Sequence, residues 1–430
     1  MVARLAIYET TGFLINTAMS MLNPSAIHRF TQDISRLKQL QARRKLWLKV
    51  HLWLGLTAGA ALVIIGLTGS ILVLWQEIDT WLNDELMSVP IPGPKAVYRP
   101  LDEIVAAAKS TIPQGAKLAY TSYPRNPDDV FVFSYQEPGV AGEKADSVNV
   151  FVDPYTARIT GSRIFYDGKT YLDNCLIGIV FKLHYALLWK EGGVILVGIL
   201  GVLLVISVLT GLIVWWPLTG QWRKALTFKP KGSFERFNFD LHKTSGFYSA
   251  LVLLAVLISG IYMNLPDQFI WLVERFSTVV RPENIQSKDI SSRVDIGLGK
   301  AVSIAQTNYP GGKLQYLNFP TETNGVYQIC SDEVEELNRF VIDARCVFVD
   351  QHSGEILRVM DPSTGSAGDV FLQWQWPLHS GKAFGVTGRI LVFLSGLACP
   401  ILFVTGVMRW LQKRKAVRRN PNFNIRPHLG

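Results

Sequence analysis

His51, His184, His242 and His379 are the residues of this 430-residue chain whose type and spacing point to chemistry. Each follows an aliphatic residue, as Val50-His51, Leu183-His184, Leu241-His242 and Leu378-His379. His242 lies 191 residues after His51, and His379 lies 195 after His184. A neutral imidazole offers one nitrogen lone pair and is the commonest metal ligand among side chains. Two imidazoles facing each other in an apolar bundle are what a six-coordinate haem iron requires. Zinc and copper fit less well, because each pair lacks a Cys, Asp or Glu to complete a tetrahedral set. A lone histidine at a membrane interface is ordinarily a polar anchor. Four of them, matched two by two, are not explained that way. The spacing therefore predicts two haems, one between His51 and His242 and one between His184 and His379.

Such pairs need helices to carry them and a symmetry to bring them face to face. Four stretches are long and apolar enough to cross a membrane, which takes roughly 20 residues: Leu52 to Trp75, Val194 to Leu218, Phe247 to Leu265 and Ile390 to Met408. None contains Asp, Glu, Lys or Arg. The composition agrees, with 49% hydrophobic and 18% charged residues against a usual charged share of about 25%. His51 and His242 open spans one and three; His184 and His379 precede spans two and four by about ten residues.

The symmetry is a repeat. Lys117-Leu-Ala-Tyr-Thr-Ser-Tyr-Pro124 matches Lys313-Leu-Gln-Tyr-Leu-Asn-Phe-Pro320, and Val150-Phe-Val-Asp-Pro-Tyr-Thr-Ala-Arg-Ile159 matches Val347-Phe-Val-Asp-Gln-His-Ser-Gly-Glu-Ile356. Their offsets of 196 and 197 residues agree with those of the histidines. Each copy opens on a helical pattern, at Leu101 and Leu298, and continues as alternating strands. The matched Asp153 and Asp350 read as turn formers rather than catalytic acids. Halves of like orientation around a two-fold axis bring equivalent residues to facing positions. The expected fold is a four-span bundle from two tandem repeats, each a membrane helix, an outer α+β domain and a second membrane helix.

Basic residues orient it. Lys and Arg cluster before span one, between spans two and three, and after span four, so these segments and both termini are expected inside. The net charge of +9 then reflects topology rather than nucleic-acid binding. The expected division is an inner arm 1–46, span 47–76, outer domain 77–175, outer-face helix and span 176–218, basic loop 219–241, span 242–265, outer domain 266–375, outer-face segment and span 376–411, and basic tail 412–430. The arm reads as a membrane-surface segment rather than a signal peptide, with Met19 or Met21 as alternative starts. Cys330 and Cys346 lie in one outer domain, where an oxidising compartment permits a bridge, though spacing alone leaves their pairing open.

Small residues near the histidines offer clearance for a flat macrocycle: Gly55 and Gly246 one turn after their histidine, then Gly59, Gly66, Gly69, Gly260, Gly381, Gly385 and Gly388. Helix packing explains glycines in membrane helices equally well. His28, His352 and His428 have no counterpart in the repeat and read as solvated or structural. Trp215, Trp216, Trp374, Trp376 and Trp410 read as interfacial belt residues, the middle two close before His379. No residue is singled out as catalytic.

The K-L-x-Y and V-F-V-D segments, set between helices carrying the four histidine dipeptides, resemble the PepSY-associated transmembrane family of bacterial inner membranes, over about residues 45–412. Where that family's turn usually has Gly, the first copy has Ala157. The family includes a periplasm-facing siderophore reductase acting on ferrioxamine. The resemblance implies a multi-pass inner-membrane oxidoreductase with two b-type haems, two periplasmic PepSY-like domains and both termini cytoplasmic. It would draw electrons from quinol or a cytoplasmic flavoprotein and reduce a ferric siderophore, releasing Fe(II). Two rivals remain: a non-redox PepSY protein binding a peptide or protease outside, and a transporter. The uncharged spans, interrupted only by Pro400, speak against transport.

Overall fold

A computed structural model describes residues 24–136, 147–166, 175–217, 220–229, 232–287, 294–332 and 345–419. The start of the arm, the end of the tail and His428 lie outside them. Four long helices form the membrane part: α1 (Pro24–Val73), α6 (Lys190–Trp215), α8 (Phe234–Asn264) and α13 (Gly385–Arg419). Each is long and apolar enough to span a bilayer, over Ala42–Val73, Gly192–Trp215, Phe234–Asn264 and Lys382–Ala416. The helices overrun the apolar stretches. The last 23 residues of the expected arm, from Pro24, are one continuous helix with span one, and α8 starts within the expected loop 219–241. Lys, Arg and Gln are good helix formers, so the chain leaves the apolar layer without breaking. At α8 the start is set by Ser233, whose side chain accepts from the Arg236 N–H.

Helix α1 packs on α6 and α13, and α8 packs on the same two. The four spans therefore stand around a square in chain order, the two of each repeat side by side, with α1 and α8 on one diagonal. Short helices sit at the sheet side of the bundle: α2 (Trp75–Leu82) and α3 (Asp84–Met87) after α1, α5 (Leu176–Ala186) before α6, α9 (Pro266–Val273) after α8, and α11 (Ala367–Gln373) and α12 (Gln375–Ser380) before α13. A five-residue helix, α7 (Trp222–Leu226), joins the middle spans at the other face.

The strands are β1 (Lys117–Ser122), β2 (Phe131–Gln136), β3 (Ser147–Val152), β4 (Ile159–Tyr166), β5 (Lys313–Asn318), β6 (Val326–Asp332), β7 (Arg345–Asp350) and β8 (Ile356–Met360). The two expected outer units share one eight-stranded antiparallel sheet, ordered β4-β3-β2-β1-β5-β6-β7-β8. Each repeat supplies a four-stranded meander, and β1 pairs with β5 at the seam through Tyr120↔Asn318, Thr121↔Leu317 and Ser122↔Tyr316. An edge strand left open would be a pairing hazard; here each repeat closes the other's edge. Helices α4 (Leu101–Lys109) and α10 (Leu298–Asn308) cover one face. They enclose a single core in which Ile104, Ala108, Leu298 and Ala301 meet Phe133, Val150, Leu317 and Ile329. Across the axis Asp102 accepts from the Gly299 N–H at 2.8 Å. Cys330 and Cys346, directly opposite on β6 and β7, form a disulfide with their Cα atoms 4.1 Å apart. A buried ion pair between Arg163 on β4 and Asp79 on α2 ties the sheet to the extension of α1.

The matched turns are equivalent in detail. Asp153 accepts from the Tyr155 N–H at 2.7 Å, and Asp350 accepts from the N–H groups of His352 and Ser353, both at 2.8 Å. Gly354 has a left-handed φ of 76°, and its counterpart Ala157 takes the same conformation at 55°. A left-handed L-residue costs about 1–2 kcal/mol, so the second repeat relieves with glycine a strain that the first retains. Ala157→Gly is expected to stabilise the sheet domain by about 1 kcal/mol, after allowing for glycine's greater unfolded-state entropy. Gly354→Ala is expected to destabilise it by at least as much, because its Cβ would also lie 3.0 Å from Ile304 Cδ1. Denaturant unfolding of both variants checks this. Burial raises the Asp350 carboxyl, but the Ser353, His352 and Ser287 hydrogen bonds outweigh it and hold the group at about 2. Its contribution is therefore complete above the ordinary carboxylate value near 4 and is lost as pH falls through about 2. Unfolding followed between these limits reads that loss, and Asp350→Asn flattens it.

Candidate functional site: two histidine pairs in the bundle

His51 lies on α1 and His242 on α8, at facing corners of the square, with ring centroids 6.2 Å apart and planes at 68°. His184 on α5 and His379 on α12 repeat the arrangement at the other end, at 5.9 Å and 67°. All four predicted ligands are thus brought together in two equivalent pairs. On α1, eighteen residues separate His51 from Gly69, the glycine against which His184 rests. That is about 27 Å of helix, close to the roughly 30 Å thickness of the hydrocarbon layer. The two pairs are thus separated along the bundle by about one hydrocarbon thickness.

Each imidazole is held by the neighbouring span in the same way. His51 Nδ1 donates to the Ser207 carbonyl at 2.8 Å, His184 Nδ1 to the Ile65 carbonyl at 2.9 Å, and His379 Nδ1 to the Val256 carbonyl at 3.0 Å. His242 Nδ1 donates to the Thr405 hydroxyl at 2.9 Å. A second hydroxyl contact comes from Thr68 to His184 at 3.1 Å and from Ser259 to His379 at 3.0 Å. Four residues beyond each carbonyl stands a glycine that receives the ring's edge. A Cβ at Gly211 or Gly69 would lie 3.0 Å from Cε1 of His51 or His184, and one at Gly260 or Gly406 would lie 3.3 Å from Cε1 of His379 or His242. The four glycines each follow a hydroxyl residue, as Thr68-Gly69, Thr210-Gly211, Ser259-Gly260 and Thr405-Gly406.

This Ser/Thr-Gly dipeptide, present in every span though also found at Ser245-Gly246, Thr387-Gly388 and Ser395-Gly396, where it seats no histidine, is the signal that the histidine reading missed. It corrects the role of several glycines. Gly69 and Gly260 seat imidazoles, while Gly66 packs on Cys399 and Gly59 under Phe403. Gly55 and Gly246 are the open ones, with nothing within 4 Å of a Cβ at the first and only Leu402 at 3.5 Å from the second. Of the other histidines, His352 turns to the Thr323 carbonyl and His28 to Gln32, each away from the pairs. Trp376 is half exposed on α12, beside His379.

Carbonyl and hydroxyl acceptors at Nδ1 keep the proton there and leave the Nε2 lone pair free, which is how metal-ligating imidazoles are ordinarily oriented. Imidazole nitrogens about 2 Å from a shared metal place ring centroids roughly 6 Å apart. Among the described residues no third His, Cys, Asp or Glu joins either pair. The donor set therefore suits axial ligation from two sides and not a tetrahedral ion.

The model of the PepSY-associated TM region matches residues 48–413. The chain belongs to this family. No curated protein matches it. The match spans all four membrane helices and the sheet, so the PepSY-associated architecture is this bundle and sheet taken together.

Valine at Gly69 or Gly260 is expected to push apart the His184–His379 pair only, and valine at Gly211 or Gly406 only the His51–His242 pair. Loss of outer-shell orientation typically lowers ligand affinity 10- to 100-fold. Absorption spectra of the purified variants, loaded with iron porphyrin, should each lose the signal of one pair and keep the other.

Proposed function

We propose that this PepSY-associated protein is a dihaem b-type oxidoreductase of the bacterial inner membrane, which carries electrons outward to reduce a ferric siderophore in the periplasm. The observation that carries the reading is the two equivalent histidine pairs, at opposite membrane edges, with Nε2 free and rings about 6 Å apart. A porphyrin iron at each pair supplies one-electron chemistry between Fe(III) and Fe(II). His51 and His242 form the entry side and His184 and His379 the exit side. Their Nδ1 bonds keep each ring fixed, so little reorganisation would accompany one-electron transfer at a group held there.

Orientation rests on charge. Arg43, Arg44, Lys45, Arg223, Lys224, Lys243, Arg409, Lys413 and Arg414 flank the His51–His242 end, as the positive-inside rule requires of the cytoplasmic face. The disulfide of the sheet suits an oxidising compartment on the far side. An electron travelling outward gains about 2.3 kcal/mol per 100 mV of membrane potential. The donor is a quinol or a reduced cytoplasmic flavoprotein, each giving two electrons in succession. At the sheet side one electron converts the chelated Fe(III) to Fe(II), and hard oxygen ligands then hold the metal less tightly, freeing it for uptake.

A second reading has its own support. Between the helix-covered face and the seam lies a cleft of about 390 Å³ lined by Lys109, Lys117, Asp295 and Tyr327 among others, a polar surface where a peptide or protease would bind. A spectrum of the purified protein separates the two. Reducible bis-imidazole absorption with two haems per chain is expected, and His184→Ala should lose one of them. A colourless protein produced with ample haem would leave only the peptide-binding reading.

A further inference from the structure

We infer that Arg389 holds a carboxylate of the porphyrin at the outer-face histidine pair, an inference that rests on the dihaem reading above. Arg389 is the sole Lys, Arg, Asp or Glu between Lys382 and Arg409 in the fourth long helix, at the edge of its apolar stretch. Its side chain is largely buried, at 17% exposure, and a buried charge calls for partners. Its backbone adjoins one half of the pair. A Cβ on Gly381, two residues after His379, would lie 2.8 Å from Arg389 Cα. Its guanidinium reaches the other half, donating from Nη2 to the Val73 carbonyl at 2.8 Å. Val73 is one turn beyond Gly69, where His184 rests. The remaining contact is with Glu77, whose side chain is half exposed. Nε–H is buried and has no hydrogen-bond partner among the described residues. A buried guanidinium donor left unpaired costs free energy that a further acceptor would recover. Porphyrins of the haem type carry two carboxylates on one edge, and a planar guanidinium pairs with carboxylate through two parallel N–H donors.

The other pair has the same neighbour. Arg44 donates to the Val214 carbonyl, three residues beyond Gly211, the seat of His51. A carbonyl one turn past a histidine seat thus receives an arginine at each edge of the bundle. These arginines are on non-equivalent helices, α1 and α13, so the repeat does not account for them.

The alternative is that Arg389 only staples α13 to α2 through Glu77. An optical redox titration of the full chain in lipid nanodiscs decides between them, with His184→Ala used to identify which step belongs to the outer-face pair. With its carboxylate partner, Arg389 favours the reduced iron. Arg389→Gln is then expected to retain two haems and to shift that step alone about tenfold toward the oxidised form, which is about 59 mV for one electron. Arg389→Lys should keep most of the potential, and Glu77→Gln should leave it unchanged or raise it. If Arg389→Gln leaves both potentials unmoved with two haems bound, or if Glu77→Gln reproduces its shift, the inference is overturned while the dihaem reading stands. A wild-type protein without haem overturns both, and the spectrum reports that before any titration begins.

Discussion

An imidazole placed against lipid has a donor that must be satisfied without water, and every carbonyl of a regular helix already accepts from the residue four positions on. A helix carbonyl has a second lone pair, but side chains normally screen it. The Ser/Thr-Gly dipeptides open that access. Glycine removes the Cβ that would exclude the ring, and the hydroxyl before it bonds back to its own helix, as Thr68 does to the Ile64 carbonyl, Ser259 to Ala255 and Thr405 to Ile401. Such back-bonding occupies the hydroxyl proton and bends helices slightly, leaving the oxygen as an acceptor. The Nδ1 proton of His184, His242 and His379 is held there. The geometry of both pairs depends on these Nδ1 contacts, made to the dipeptide hydroxyl by His184, His242 and His379 and to the Ser207 carbonyl by His51.

The axis itself is fixed from outside the membrane. Pairing β1 with β5 merges the two meanders into one sheet, and a core shared by α4 and α10 makes separation of the halves costly. Because each repeat's spans are tied to its half of the sheet, through contacts such as Arg163 with Asp79, the seam controls how the helices face one another. Strain is kept where the chain must turn sharply beside a paired histidine. Leu187 and Leu188, just after His184, have left-handed φ of 49° and 57°, whereas Gly381 takes that role after His379. Residues outside glycine persist in such conformations only where surrounding packing imposes them.

On the proposed reading, this architecture separates two tasks. The bundle supplies fixed, apolar positions for one-electron carriers at the two edges of the bilayer, and the sheet supplies a surface in the outer compartment. The field across the membrane acts on the electron between them, so the same asymmetry of basic residues that orients the chain also sets the direction of favourable transfer.

Spans, repeat, matched turns and the identity of the four histidines were legible in the chain, because each is a matter of local periodicity or of comparison between two segments of one sequence. The sequence by itself also determined the pairing partners, since equal offsets identify equivalent residues in a doubled fold. It left open whether Cys330 and Cys346 pair, because spacing does not place Cα atoms; only the register of β6 and β7 does. The merger of two outer units into one sheet depends on long-range pairing at the seam, where β1 and β5 carry no signal distinguishing a covered edge from an open one. The glycines were visible, yet only the tertiary structure decided which seat a ring, which pack a helix and which face open space. A glycine's role is set by what approaches from another helix, and that information is absent from its own segment.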